Sequence, residues 1–295
     1  MKQAILITAY KDFKQLIYLV NLFDDAFNIY IHIDKKSKLD KKNLVVLQEC
    51  PYVRYVGCFY KINWGGVNHL KAYLELCKLA FQDKDNQYFH LITGQDYPIK
   101  SIKYFNEFFK AQNNIKKDYL EYHKLPFDGV SGGGLDRLNY YHLNDFFNYQ
   151  SIKGYKILMK IKYWQKKYNF KRSLKGFGFE NFYLGSTYWS LSRKTLSYVI
   201  DYTLNKPNFF NKVKYSHCPE EIYFQTIILN SKYAKNVVNN NLRFIDWSNC
   251  GSSPAYLGIN HLNDIINSDN LFARKIHSKS KHLINKIETN KLLTT

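Results

Sequence analysis

The chain has 295 residues, 45% of them hydrophobic, so it is long enough for one large or two small packed domains, and global disorder is excluded. Its 43 basic and 24 acidic residues give a formal charge of +19, which predicts attraction to polyanions: nucleic acid, an anionic bilayer or phosphate-bearing substrates. The five cysteines are widely spaced and form no CxxC pair, which indicates neither a disulfide framework nor a zinc site.

The cysteine pattern also favours a reducing compartment. The apolar run within residues 1–10 is too short for a signal peptide, and no run approaches membrane-spanning length. We therefore expect a cytoplasmic protein, with the inner face of the membrane as a peripheral location.

Strands alternate with helices over the first hundred residues. Continuous apolar runs indicate buried strands, and three- and four-residue apolar spacing indicates helices. The predicted strands are Ala4–Thr8, Ile29–Ile33, Val53–Val56 and Tyr88–Ile92, and the predicted helices are Phe13–Phe23 and Val67–Phe81. This order favours an α/β fold with a mostly parallel central sheet flanked by helices.

Residues 87–101 form the most informative stretch. The strand predicted at Tyr88–Ile92 ends in a turn that carries Asp96, and Ser101 is suited to cap a helix over Ile102–Ala111. Open α/β sheets place their ligand crevice at the carboxyl ends of strands, where this acid would lie. A structural role for Asp96, as a cap of its turn, is the alternative.

The second half of the chain is less regular. We predict short strands at Tyr119–Tyr122, Phe182–Leu191 and Leu242–Trp247, and a helix that begins near Pro219. Gly129–Gly134 is interpreted as a mobile loop, and the residues after Arg274 as a basic tail.

Two short motifs in the chain are weak. Asp83-Lys84-Asp85 resembles the metal-binding DxD of sugar-nucleotide enzymes, but it precedes a strand instead of following one, so it is interpreted as a solvated turn. Gly132–Gly134 lacks the Lys-Ser/Thr of a phosphate-binding P-loop.

Seven further sequence segments are informative because of the order in which they occur along the chain. They are Ile31-His32-Ile33-Asp34-Lys35-Lys36-Ser37, Trp64-Gly65-Gly66, Leu91-Ile92-Thr93-Gly94-Gln95-Asp96-Tyr97-Pro98-Ile99-Lys100, Gly134-Leu135-Asp136-Arg137-Leu138, Gly185-Ser186-Thr187-Tyr188-Trp189, Pro219-Glu220-Glu221 and Phe272-Ala273-Arg274-Lys275. In this order they resemble the core-2/I-branching β-1,6-N-acetylglucosaminyltransferases and peptide O-xylosyltransferases.

The resemblance implies a GT-A-like fold and an inverting, metal-independent transfer from a UDP-sugar to a hydroxyl. It implies one catalytic domain, 1–276, with a nucleotide-sugar-binding half (1–115) and an acceptor-binding half (116–276), before a tail at 277–295. No cofactor or metal is expected beyond the UDP-sugar donor. Composition and the lack of targeting signals favour a bacterial member that builds a surface polysaccharide on a glycan or lipid-linked glycan.

An inverting transfer needs a carboxylate that takes the proton of the acceptor hydroxyl. Glu221 matches the base position of the family, although an acid in a first helical turn commonly interacts with the helix dipole. Asp96 is the second candidate, as base or as the group that orients the acceptor.

The resemblance also assigns the nucleotide contacts. Arg274 and Lys275 match the basic pair that stabilises the departing diphosphate, and Asp34 and Lys36 match nucleotide-contacting positions. Trp64 and Gly65 lead into a helix N-terminus whose free N–H groups favour anions, although close helix packing would explain the glycine equally well. Acceptor contacts are expected at Tyr97, Trp189 and Trp247, where an aromatic ring could stack on a sugar, unless the tryptophans lie in the core.

Two other functions remain open at this stage. A polyanion- or nucleic-acid-binding protein would explain the charge but not the ordered motifs, and no nucleic-acid motif is present. A glycoside hydrolase needs two carboxylates, which Asp96 and Glu221 could supply.

Residues 151–175 carry nine Lys or Arg interleaved with apolar residues. On a helix, Lys153, Lys156, Lys160, Lys167 and Lys171 would share one face with Trp164, which suits an anionic membrane surface. A solvated basic helix is the alternative.

Overall fold

The computed structural model describes residues 1–248 and 253–293. The strands, in chain order, are β1 (Lys2–Ala9), β2 (Phe27–Ile33), β3 (Val53–Gly57), β4 (Asn86–Thr93), β5 (Tyr97–Pro98), β6 (Asp118–Leu120), β7 (His123–Lys124), β8 (Tyr183–Leu184), β9 (Trp189–Ser192), β10 (Val237–Val238), β11 (Arg243–Ile245) and β12 (Phe272–Arg274). The helices are α1 (Phe13–Val20), α2 (Lys41–Glu49), α3 (Val67–Gln82), α4 (Ile102–Ile115), α5 (Asp136–Asn139), α6 (Ile152–Lys167), α7 (Arg193–Asn205), α8 (Pro207–Val213), α9 (Tyr223–Leu229), α10 (Leu262–Ile266) and α11 (Lys281–Leu293).

Seven strands form the central sheet, in the order β10-β6-β9-β4-β1-β2-β3. Strand β1 pairs in parallel with both β2 and β4, and β9 runs antiparallel between β4 and β6. Helices cover both faces, so the middle strands are buried and mostly apolar, although they also hold buried polar residues such as Gln3, His32 and His90. The predicted α/β fold with a mostly parallel sheet is confirmed.

Alternate side chains of β1 enter two different cores. Leu6 packs in the core beneath α3, α7 and α9, whereas Ile5 and Ile7 pack in the core beneath α1 and α4. This division follows from the period of two in a strand, which sends successive side chains to opposite faces.

A second sheet of three strands, in the order β11-β12-β5, lies beside the first. Strand β12 pairs antiparallel with β5, with Ala273 opposite Tyr97. This pairing carries Arg274 to the turn that follows β4, although the two segments are far apart in sequence.

The C-terminal segment is not a tail. Residues 281–293 form α11, and Leu283, Ile284 and Ile287 are buried in a third core together with Tyr97 and Ile99. The prediction of a basic tail from residue 277 is therefore wrong for the part of that segment that the structure describes; residues 294–295 lie outside it. The missed signal is the apolar spacing of these three residues among lysines.

Most predicted element boundaries hold within a few residues, but two predicted elements differ in kind and several elements were not predicted. The strand predicted over Phe182–Leu191 is two short strands, β8 and β9, which belong to different sheets. The helix predicted near Pro219 begins as a 3-10 turn, Pro219–Glu221, and continues as α9. The elements that were not predicted, besides α11, are the helices α2, α5, α7, α8 and α10 and the strands β5, β7, β10 and β12.

Disulfide bonds and membrane-spanning helices are both absent from the described residues. Cys50, Cys58, Cys77 and Cys218 are free thiols, and Cys250 lies outside the described part of the chain. Within the same residues, none of the helices combines the length and the apolar character that crossing a membrane requires.

Candidate active site

Three neighbouring parallel strands end at one edge of the central sheet. The backbone N–H of Asp34, just after β2, donates to the carbonyl of Ala9 at 2.9 Å, and that of Gly94, just after β4, donates to the carbonyl of Thr8 at 3.0 Å. The turns that carry Asp34 and Asp96 are thus joined through the end of β1, at the edge where such sheets bind ligands.

Asp96 is held by three donors on one oxygen. Its Oδ2 accepts from the N–H of Thr93 at 2.6 Å, from the Thr93 hydroxyl at 2.7 Å and from Arg274 Nη1 at 3.3 Å. Asp96 as a whole is fully buried, and its Oδ1 has no hydrogen-bond partner among the described residues. Asp96 is therefore fixed in its turn and holds Arg274, whose guanidinium lies 4.4 Å above the ring of Tyr188.

Asp34 organises the neighbouring turn. Its Oδ1 accepts from the N–H groups of Lys36 at 2.9 Å and Ile62 at 3.1 Å. The ammonium of Lys36 lies 3.8 Å from Asp34 Oδ2 and donates to Asn63 at 3.1 Å. Asp34 and Lys36, both predicted to contact the nucleotide, thus lie together. A ligand that binds the ammonium group of Lys36 would compete for it with Asp34.

The helix N-terminus after Trp64 is not open to a ligand anion. Asp145 caps α3, because its carboxylate accepts from the N–H groups of Val67 at 2.6 Å and Asn68 at 3.2 Å. The prediction that UDP binds at these free N–H groups is therefore corrected: a side chain of the same protein already satisfies them.

Gly65 is required by packing instead. Its φ of +73° is unfavourable for other residues, and a Cβ there would lie 2.7 Å from both Asn144 and His217. The ring of Trp64 contacts His217 edge-on and Tyr149 at a tilt, each with 5.0 Å between ring centroids. The structure therefore supports close packing, and not anion binding, as the reason for this glycine.

Glu221 forms an ion pair with Arg137 through Oε2, and its side chain remains 30% exposed. Its carbonyl accepts from the N–H of Gly185 at 2.9 Å, which anchors the 3-10 turn against the end of β8. Partial burial and the nearby Glu220 raise the pKa of Glu221, and Arg137 opposes this rise. A raised pKa makes this carboxylate a stronger proton acceptor, and its exposure leaves it accessible.

Glu220 faces the interior. Its Oε1 contacts His69 Nδ1 at 3.2 Å, and His69 Nε2 contacts the hydroxyl of Tyr73 at 2.7 Å. Burial together with Glu220 holds the pKa of Tyr73 well above the ordinary value. This chain of contacts links the turn of Glu221 to α3.

Two of the predicted acceptor contacts lie in the core. Trp189 is fully buried in β9, with its ring 5.0 Å from Phe224. Tyr97 is also fully buried, stacks on Tyr18 at 6.2 Å and donates its hydroxyl to Glu288 at 2.5 Å. Both predictions are corrected, because a sugar cannot reach a ring that protein covers. Trp247 is 55% exposed and keeps a free surface for stacking.

Lys275 has partners different from those of Arg274. Its ammonium donates to the Ser253 hydroxyl at 2.5 Å and lies 5.4 Å from the ring centre of Tyr256. Burial and the adjacent Arg274 lower its pKa. Lys11 donates to the hydroxyl of Tyr256 at 3.1 Å, so a third cation lies in this group.

The Asp83-Lys84-Asp85 motif lies at the other edge of the sheet. Asp83 ends α3, where its carboxylate accepts from the side chain of Asn28 at 2.9 Å and from the N–H of Asp85 at 3.0 Å. The motif precedes β4, so it is separated from Asp96 by the length of that strand. The interpretation as a turn fits this arrangement.

The sequence profile of the Core-2/I-Branching enzyme family matches residues 4–130 and 139–269. The chain belongs to this family. The matched ranges contain Asp34, Asp96 and Glu221, whereas Arg274 and Lys275 lie just beyond them.

Curated relatives of this Core-2/I-Branching chain are xylosyltransferases. Xylosyltransferase 1 of Mus musculus is 24% identical over 247 residues, which cover 81% of this chain and 23% of the relative. The Homo sapiens protein is 25% identical over 226 residues, 74% of this chain and 21% of the relative. The chain thus spans less than a quarter of the length of these relatives.

Among solved structures, core-mannan synthase A of Aspergillus fumigatus, in a Mn/GDP form, is 11% identical, with a TM-score of 0.42 over 80% of this chain and 72% of that one. This overall likeness is limited. The mostly parallel seven-stranded sheet between helices agrees with the GT-A-like fold that the family membership implies.

The sequence alone indicated no role for four residues of the candidate site: Arg137, Lys11, His69 and Tyr73. Arg137 was in a matching piece of sequence, yet nothing in the sequence paired it with Glu221. Lys11 could have been found from its place two residues after β1, at the strand edge that binds ligands. His69 and Tyr73 looked like ordinary positions on an amphipathic helix, and only packing connects them to Glu220.

Proposed function

We propose that this chain is an inverting glycosyltransferase that moves a sugar of the GlcNAc or xylose class from a UDP-sugar to a hydroxyl of a glycan acceptor. The observation that carries the proposal is the family match over both halves of the chain. The arrangement at the carboxyl edge of the sheet supports it, because Asp96 holds Arg274 there.

Glu221 is the proposed base. The acceptor oxygen forms a bond to the anomeric carbon, its proton goes to the Glu221 carboxylate, and the bond from that carbon to the UDP oxygen breaks. Glu221 suits the role better than Asp96 does, because its side chain is partly exposed, whereas Asp96 is fully buried and bound by Thr93 and Arg274. Asp96 is proposed to position Arg274.

Arg274 and Lys275, with Lys11 beside them, are proposed to stabilise the negative charge that grows on the departing UDP. No metal is required for that step in this proposal. Asp34 and Lys36 are proposed to contact the nucleotide, and Trp247 the acceptor.

The burial of Asp96 speaks against the hydrolase alternative. A glycosidase needs two carboxylates that flank one bond, and the buried Asp96 cannot reach a bound sugar in this arrangement.

Thermal unfolding with UDP and a coupled transfer assay together test the proposal. UDP at a hundredfold excess over its Kd should add about 2.7 kcal/mol to the free energy of unfolding. The Glu221→Gln variant should keep this stabilisation while turnover falls about 10²- to 10⁴-fold. Glu49→Gln, an exposed residue of α2, is the control and should change neither quantity.

No stabilisation by UDP or by any UDP-sugar would refute the proposed donor. Near-normal turnover in Glu221→Gln would remove this residue from the role of base. Release of free sugar from a glycan without UDP would favour a hydrolase instead.

A further inference from the structure

Helix α6 turns one broad face toward solvent. Gly154, Leu158 and Gln165 are buried, and they define the side that packs on the protein. Gly154 is needed for this packing, because a Cβ there would lie 2.1 Å from the carbonyl oxygen of Asn148. The exposed residues on the opposite side, here named the α6 face, are Ile152, Lys153, Lys156, Lys160, Tyr163, Trp164 and Lys167.

The α6 face carries uncompensated positive charge. Residues 146–179 contain no Asp or Glu. Within the described chain, no carboxylate lies at salt-bridge distance from the four lysines of this face. Lys166, on the edge of the face, differs because it pairs with Asp136 at 2.9 Å. Lys171, predicted to belong to the stripe, lies beyond the end of the helix.

Aromatic rings extend the face at its C-terminal end. Trp164 stacks on Tyr168 with 5.2 Å between centroids and 6° between planes, and the ammonium of Lys167 lies 5.3 Å above the Trp164 ring. Tyr163, Tyr168 and Phe170 are each exposed by more than half. Rings with a polar tip and lysines with an apolar stem both suit the headgroup region of a bilayer.

We propose that the α6 face docks on an anionic bilayer surface. Its lysines match the charge of the lipid headgroups, and its exposed apolar side chains can enter the boundary with the acyl region. A second copy of this chain fits poorly, because two such faces would repel each other. A nucleic acid would use the lysines but offers no apolar interior to Ile152. The inference does not depend on the proposed function.

Helix α6 is connected through Tyr149 to the Trp64-Gly65 turn, and the Gly65 carbonyl accepts from the N–H of Cys218, just before the turn that carries Glu221. The ring of Tyr149 lies 5.2 Å from that of Tyr155 on α6 and 5.0 Å from that of Trp64. The loop just before α6 also supplies Asp145, the cap of α3. Docking through α6 would therefore hold the candidate site in a constant orientation beside the bilayer.

Vesicle co-sedimentation tests the proposal. Wild type is compared with a variant in which Lys153, Lys156, Lys160 and Lys167 are all changed to Gln, on vesicles of phosphatidylcholine with and without phosphatidylglycerol. Each lysine near an anionic surface raises the partition coefficient about fivefold. Loss of all four should therefore lower the partition coefficient several-hundred-fold, to a first approximation. Neutral vesicles should bind neither protein.

The control variant carries Lys→Gln at Lys41, Lys42, Lys110 and Lys194, which are exposed on α2, α4 and α7. This control loses as much positive charge as the α6 variant, but from other surfaces, and should bind anionic vesicles as wild type does. Equal loss in both variants would mean that overall charge causes the binding, and this would overturn the proposal. Wild-type pelleting by the α6 variant, or no binding by wild type, would also overturn it.

Tryptophan fluorescence separates a bilayer from a soluble polyanion. Anionic vesicles should shift the emission of wild type to the blue, and Trp164→Phe should lack that shift, because the Trp164 ring enters the headgroup region. Poly(U) RNA should leave the emission unchanged. Tighter binding to RNA than to vesicles, with the same blue shift, would identify a nucleic acid as the partner and refute the bilayer.

Discussion

Arg137 bears directly on the pH at which Glu221 can accept a proton. Burial and Glu220 raise the pKa of Glu221, and the adjacent guanidinium is the main influence that lowers it. If Glu221 is the base, it acts only when deprotonated, so kcat/KM must fall as the pH falls through this pKa. In that case the ion pair helps to set the acid limb of the pH profile.

We expect Arg137→Gln to move this acid limb to higher pH. Removal of the positive charge leaves burial and Glu220 unopposed, so a larger fraction of Glu221 is protonated at a given pH. The measurement is kcat/KM against pH for both proteins. Arg54→Gln, on the exposed side of β3, should leave the limb in place, and an unmoved limb in Arg137→Gln would argue against Glu221 as the titrating group.

At the scale of the elements, α11 is the main correction to the sequence analysis. It covers the small sheet that presents Arg274, because its buried residues pack against Tyr97 and Ile99 on β5 and the residues beside it. Tyr97 is also tied to α11 by the hydrogen bond to Glu288. The helix thus stabilises the segment between β4 and α4 on which the site depends.

Ile287→Ala should lower the free energy of unfolding by about 2–5 kcal/mol, because it leaves a cavity in this third core. Lys286→Ala, one residue earlier and exposed, should change it by less than about 0.5 kcal/mol. Chemical denaturation of both variants measures the difference. Equal stability of the two variants would mean that α11 does not pack as described.

At the scale of the whole molecule, the positive residues are not equivalent. Arg274 belongs to the candidate site, where it contacts Asp96, whereas the lysines of α6 lie on a separate surface. A formal charge of +19 therefore combines a small group at the site with many exposed lysines. Only the first group is proposed to stabilise a departing diphosphate.

Transfer should therefore continue in EDTA, since Arg274, Lys275 and Lys11 are proposed to take the place of a metal ion. The assay compares initial rates with and without EDTA, and with added Mn²⁺ or Mg²⁺. Complete loss of activity in EDTA, restored by Mn²⁺, would contradict this mechanism. Lys11→Gln should weaken UDP binding without any change in the response to EDTA.

The sequence by itself determined the α/β class and the place of the candidate site. Apolar runs and helical spacing are local patterns, and they were sufficient to identify β1, β2, β4 and α3. Because a parallel sheet gathers the carboxyl ends of its strands at one edge, the positions of Asp34 and Asp96 after strands also predicted that they would lie at that edge.

Only the tertiary structure decided which of these residues contact one another. Arg137 and Glu221 are 84 residues apart, Asp96 and Arg274 178 apart, and Tyr97 and Glu288 191 apart. No periodicity encodes such pairs, because they depend on how separate elements pack against one another. The same packing buries Trp189 and lets Asp145 cap α3, so burial and capping at these positions follow from the assembled fold and not from the local sequence.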